Sequence, residues 1–234
     1  MTVNPYEAPS EQREVIASSP GRVSLVEIFS KAIALGSASP WLTGLLVTIN
    51  FVAAEVQRQA GEEELQAIFL TLLVSWLISP IPLAAIRGVD EGEGVAAGIS
   101  RRLRWAPATL AATIALMVLV MLSAFLLFLP AIWLLVRYQF IAYPAIDGVS
   151  VPGAFAESAR LVKGRWWATW MRNVAIAFPV FMLPAIVGAV DGVVGTELAR
   201  HPGFSLMNSG LGTLFALATY AHYVALRDSA SEPS

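Results

Sequence analysis

The sequence predicts an all-α integral membrane protein, with six transmembrane helices and three amphipathic helices at the membrane interface. Three observations carry this. Of 234 residues, 56% are hydrophobic and only 14% charged, where a soluble domain carries about 25% charged residues. Apolar runs recur at close to the ~20 residues a helix needs to cross a bilayer. Three of those runs follow a short segment striped polar and apolar and closed by tryptophan.

Composition also excludes. The net charge of -2 gives no global basic field for nucleic acid. The absence of cysteine removes disulfides, thiolate metal sites and cysteine nucleophiles. Two histidines, His201 and His222, are too few for a metal centre, and no cofactor is expected.

Residues 1–21 are polar and proline-punctuated, without the apolar stretch of a signal peptide, and read as a disordered tail. Residues 22–227 form the membrane domain, and 228–234 a second tail. Span one runs from Trp41 to Val56 and span two from Leu65 to Ile86. Span three runs from Trp105 to Leu129 and span four from Pro130 to Ile146. Span five runs from Trp166 to Val190 and span six from Leu206 to Leu226. Trp105 to Ile146 is one apolar run of 42 residues, enough for two crossings. Pro130 breaks the hydrogen-bond ladder inside it, which places a tight hairpin there. A five-span arrangement, with 130–146 re-entrant, is the alternative.

Charge orients the set. On the side of the N-terminal tail and the loops after spans two, four and six lie Arg13, Arg22, Lys31, Arg87, Arg101, Arg102, Arg104, Arg160, Lys163, Arg165 and Arg227. Only Arg58 and Arg200 fall opposite, and Arg137 and Arg172 lie within spans, completing the 15 basic residues. Eleven against two predicts both termini on the cytoplasmic side.

The segments Val23–Trp41, Glu93–Trp105 and Val151–Trp167 resemble one another. Each is a striped helix ending at a tryptophan suited to the interface. Trp41, Trp105 and Trp166 are spaced by 64 and 61 residues. This predicts a three-fold repeat of interfacial helix, span, span.

The stretch LPAIWLLVRYQFIAYPAIDGVSVPGAFAESARLVKGRWWATW carries a more specific pattern. A proline precedes an arginine inside an apolar stretch, a second proline and an acidic turn. An alanine–serine–leucine–glycine–tryptophan helix follows. The positions are Pro130, Arg137, Pro144, Asp147, Ala154, Ser158, Leu161, Gly164 and Trp167. The pattern resembles the membrane-domain family of glycerophosphoryl diester phosphodiesterases, bacterial polytopic membrane proteins. In two-part members the hydrolase is a separate soluble domain, and this chain has no room for one. The resemblance therefore implies a stand-alone membrane domain of a bacterial inner membrane with no established activity, and it does not imply hydrolysis.

Arg137 is the foremost candidate site. No Asp or Glu lies within five positions of it. Read as lying deep in span four, it costs about 2.5–3.5 kcal/mol on insertion scales. Asn50, backbone carbonyls freed by Pro80, Pro82, Pro179 and Pro184, water, or a lipid phosphate can offset that cost. Arg101, Arg102 and Arg104, and Arg160, Lys163 and Arg165, flank membrane entry points. They set topology and attract anionic headgroups. Arg172, six residues past Trp166, is within snorkelling reach of the surface. Ser158 lacks a nucleophile elbow or a Ser-x-x-Lys partner, and only His222 can approach it, so it reads as a packing residue.

The functional expectation is a non-enzymatic inner-membrane protein that binds lipid, organises the membrane or supports another membrane protein. Its partners are anionic lipid headgroups. The alternative is a small transporter or channel with a polar site around Arg137 and Asn50 and helices broken at the prolines.

Overall fold

The computed structural model describes residues 23–60, 78–126, 128–195 and 201–231. All regular structure among them is helical. The N-terminal tail and most of span two lie outside the described residues.

Helix α1 (Leu25–Ala38) starts where the Ser24 side chain accepts from the Glu27 amide at 3.1 Å, with Glu27 in its first turn. Ile28, Ala32 and Leu35, spaced four and three apart, bury one face. The helix stops before Pro40, which disfavours helical backbone at the residue ahead of it. Ser39 is accordingly extended, and its hydroxyl accepts from the Leu42 amide at 3.2 Å, capping α2 (Pro40–Ala60). The chain bends there by 102°. Thr43 straps the corner by donating to the Gly36 carbonyl at 2.8 Å.

Helix α3 (Pro80–Asp90) carries Pro80 and Pro82 in its first turn, where a missing amide hydrogen costs nothing. A turn with Gly92 and Gly94 at φ 76° and 83° reverses the chain into α4 (Val95–Arg102). The two helices cross at Gly88 and Gly98, so closely that a Cβ on Gly88 would sit 2.4 Å from the Gly98 Cα. A 3-10 turn, Leu103–Trp105, leads from α4 into α5 (Ala106–Leu126).

Helix α6 (Phe128–Tyr138) begins two residues ahead of Pro130, which falls in its first turn. The helix runs through Pro130, so the predicted hairpin does not fall at that residue; α5 and α6 pack against each other, and residue 127 between them lies outside the described residues. Span four is itself interrupted. Helix α6 ends at Tyr138, and a short α7 (Ala142–Ile146) follows a turn at 139–141. Pro144 explains this, because it has no N–H for the Phe140 carbonyl, which accepts from Tyr143 instead at 3.1 Å.

Helix α8 (Val151–Val162) has Pro152 at its start and leads through Gly164, at φ 74°, into α9 (Trp166–Val194). Pro179 and Pro184 do not break α9, which runs through both. Helix α10 (Pro202–Ser231) continues past the start of the predicted C-terminal tail.

Among the described residues, three helical stretches are long and apolar enough to cross a membrane: Val95–Ala124, Leu129–Ile146 and Trp166–Val194. The bent pair α1–α2 makes a fourth if it is one span. Helix α10, the predicted sixth span, falls short because it carries Asn208, Ser209, Thr213, Thr219 and His222 along its length. It packs against α1, α2, α8 and α9, so its polar residues meet protein.

The three segments predicted as interfacial are all helical, but their junctions differ. The first breaks at an extended Ser39, the second continues through a 3-10 turn, and the third turns at Gly164.

The core lies toward one end. Leu42 and Leu46 of α2, Val136 and Phe140 around the end of α6, Leu161 and Val162 of α8, and Tyr220 to Val224 of α10 are buried there.

Candidate functional site

At that buried end, charged side chains from four separate segments meet. Asp147 follows α7 and accepts from both sides. Arg87 of α3 donates its Nε to the two carboxylate oxygens at 3.1 Å each and brings Nη2 to 2.9 Å. Arg102 at the end of α4 donates its Nε at 3.4 Å. Arg102 is buried, and it also pairs with Glu91 and, at 2.9 Å, with Glu93. Arg87 continues into α10, where its Nη1 donates to the Tyr220 hydroxyl at 3.0 Å. That hydroxyl donates to Asp90 at 2.6 Å. Lys31 of α1 reaches Asp90 at 3.7 Å. One network thereby ties α1, α3, α4, the α7–α8 link and α10 together.

The electrostatics are mutually supporting. Burial opposes the Arg87 charge most strongly, yet the hydrogen bonds with Tyr220 and Asp147 more than reverse it, and its pKa is raised. Glu93 is held below the ordinary glutamate range, first by the hydrogen bond from Arg102.

Beside this network opens a cleft of about 280 Å³. Arg87, Arg101, Arg102 and Arg104 line it, with the carboxylates of Glu91 and Asp147, over Trp105 and Ile146. Four guanidinium groups and two carboxylates line it, and Glu93 pairs with Arg101 and Arg102 from behind, so the positive excess is that of Arg104. Arg101 pairs with Glu93 but stays largely exposed. Arg104 lies over the Trp105 ring at 5.2 Å and makes no ion pair among the described residues. Gly148, at φ 92°, lets the chain pass Trp105, since a Cβ there would fall 2.7 Å from the indole.

The sequence candidates divide accordingly. Arg101 and Arg104 face the cleft, while Arg102, expected at the lipid surface, is buried and spent on three carboxylates. Arg160 pairs with Glu157 at 2.7 Å, and Arg165 donates to Ser229 at 2.5 Å. Lys163 is exposed. Arg137 falls midway along the apolar stretch Leu129–Ile146 and in the last turn of α6, where a cation suits the helix C-terminus. Its guanidinium lies over Trp133 at 4.7 Å and Tyr138 at 5.8 Å. Asn50 is occupied elsewhere, donating to the Leu46 carbonyl at 2.9 Å and to Thr213 at 3.4 Å. No hydrogen bond joins Asn50 to Arg137 among the described residues.

The motif positions have structural work. Opening α6 at Tyr138 leaves the Arg137 carbonyl and the Phe140 amide without helical partners. The Ser158 hydroxyl serves both, donating to the first at 3.1 Å and accepting from the second at 3.3 Å. Ala154 and Leu161 bury the same face of α8, and Trp167 is 72% exposed at the start of α9.

Sequence reasoning missed Arg87, Asp90, Glu91, Glu93 and Tyr220. The available signal was the charge density of RGVDEGEG between two apolar runs.

Compared with known proteins, the chain matches no family model, no curated protein and no solved structure.

Proposed function

We propose that this is a non-enzymatic, multi-pass protein of a bacterial inner membrane that binds anionic lipid headgroups at its charged end. The observation that carries the proposal is Arg104: a guanidinium on the wall of a net-positive cleft, held over an indole and not neutralised by a carboxylate. Arginine over tryptophan at a membrane entry point suits a phosphate at the interface. The exposed rings of Trp41 and Trp167 supply further interfacial anchors. A six-span arrangement with both termini cytoplasmic puts this end at the cytoplasmic leaflet, where anionic lipid concentrates. The reading keeps the chain with the stand-alone membrane domains it resembles. It is supported by Pro144, Ser158 and Gly164 each having a structural task at a motif position. Ser158, the one motif residue able to act as a nucleophile, is occupied by backbone groups.

Native mass spectrometry of wild type beside an Arg101→Gln/Arg104→Gln variant tests this. Wild type should retain an anionic phospholipid over a zwitterionic one, and the variant should lose that preference. Equal retention by both would sink the cleft as a headgroup site.

A further inference from the structure

A second group of polar side chains lies inside the helices and shares no residue with the cleft. It is centred where the turn after α6 meets α9 and α10. Gln139 in that turn accepts from Asn173 of α9 through its Oε1, which leaves its amide nitrogen buried and unpartnered. One helical turn before Asn173, Thr169 is fully buried with its hydroxyl unpartnered. His222 of α10 is also fully buried, edge-on to Phe140 at 5.4 Å, with neither ring nitrogen bonded. Arg172 stands beside Asn173 on α9, three residues after Thr169. Arg137, two residues before Gln139, has a buried and unpartnered Nε.

These groups have one chemistry in common. The Arg137 Nε–H, the Gln139 amide, the Thr169 hydroxyl and a histidine N–H are all donors. Neither Arg137 nor Arg172 makes an ion pair among the described residues. Buried donors without acceptors are costly, and cations inside a helical bundle more so. Donors and guanidinium groups gathered without a carboxylate are complementary to an oxyanion, which offers several acceptor oxygens and negative charge together.

We propose that the junction of the α6–α7 turn with α9 and α10, lined by Gln139, Thr169, Arg172 and His222, is a binding site for a phosphate-type oxyanion. The oxyanion is either free or carried by a lipid headgroup. Thr169 and Gln139 donate to its oxygens, Arg172 balances its charge, and His222 closes the site from α10.

The test uses the purified full-length chain in non-ionic detergent, with sodium phosphate replacing sodium chloride at constant ionic strength. Phosphate should raise the Tm saturably, by about 5–10 °C at a hundredfold excess over Kd. Thr169→Val and Arg172→Gln should abolish the rise, and Arg104→Gln in the cleft should keep it. If phosphate has no effect but phosphatidylglycerol produces the same Thr169-dependent rise, the oxyanion is a lipid headgroup. If neither raises the wild-type Tm, there is no oxyanion site. A rise that survives both Thr169→Val and Arg172→Gln would equally overturn the assignment. If one variant fails to fold, the wild-type titration still decides whether an oxyanion binds, and the other variant decides whether it binds at this junction.

Discussion

The same helices are built differently at their two ends. On α10, Tyr220 through Val224 are all buried, whereas Leu206 is more than half exposed. On α9, Thr169 and Ile176 are buried, but Phe178, Phe181, Ile186 and Val193 stand exposed. On α5, Thr109 and Ala112 are buried and Met121 and Leu122 are bare. The end with the charges is the end with the core. In a bilayer, packing apolar side chains against each other gains little over leaving them in lipid. What distinguishes one arrangement of helices from another is then polar: ion pairs, shared hydroxyls and close glycine crossings. This molecule concentrates them at one end.

The strongest way to break that asymmetry is to remove its hub. Asp147→Ala removes the one carboxylate shared by Arg87 and Arg102, while Arg87 keeps Asp90 and Glu91 and Arg102 keeps Glu91 and Glu93. Asp147 is itself partly exposed, so the loss is that of hydrogen bonds to charged groups, about 1.5–3 kcal/mol. Chemical denaturation in detergent should show a loss of that size, together with loosening of α3 from the α7–α8 link. A loss below about 1 kcal/mol, the range of surface pairs, would show that the network is not a hub.

Next in size is the crossing of α3 and α4. Gly88→Ala puts a methyl group 2.4 Å from the Gly98 Cα and 2.8 Å from the Gly94 carbonyl oxygen, against backbone that cannot yield locally. Overpacking of this kind costs about 1–3 kcal/mol. Gly44→Ala, where a Cβ meets nothing within 4 Å, is the matched control and should be close to neutral.

Acid gives a graded version of the same test. The pKa of Glu93 is lowered in the folded chain by Arg102, and that of Glu157 by Arg160. A carboxylate of lowered pKa contributes its full stability above the ordinary glutamate value of about 4.3 and loses it as pH falls through the lowered native value. Tm should therefore hold steady from neutral pH to about 4.5 and then fall. Glu93→Gln should lower the plateau and flatten the fall. An unchanged acid limb in that variant would remove Glu93 from the account.

Much of the helical layout was legible because period and punctuation are local properties. The amphipathic stripes of α1 and α8 and the entry tryptophans are written in consecutive residues. The break in α6 was half legible. Pro144 announces it, but that Ser158 binds the two freed backbone groups depends on α8 folding back against the turn. The charge network was less visible still, since Arg87, Arg102, Asp147 and Tyr220 are up to 133 residues apart. Arg102 and Arg104 look alike in sequence. Helical phase turns one into a buried partner of three carboxylates and the other toward the cleft. Span six was less legible for a related reason. A helix packed against four others keeps polar residues that a lipid-facing helix cannot, so low apolarity marks α10 as central.

The smallest effect is expected at the bare end, where it sharpens the comparison most. Phe181→Ala and Ile186→Ala remove large apolar side chains from α9, but those side chains are more exposed than packed against protein. Their loss exposes no cavity and unpairs no polar group, so stability should shift by no more than about 0.5 kcal/mol. The same truncations within a packed core cost about 2–5 kcal/mol. A value in that higher range would mean that this face of α9 is covered by a second copy or another membrane protein. The contrast between the two ends would then be one between intramolecular and intermolecular packing. Measuring both variants across a hundredfold range of protein concentration separates the cases, because only an intermolecular contact makes the cost depend on concentration.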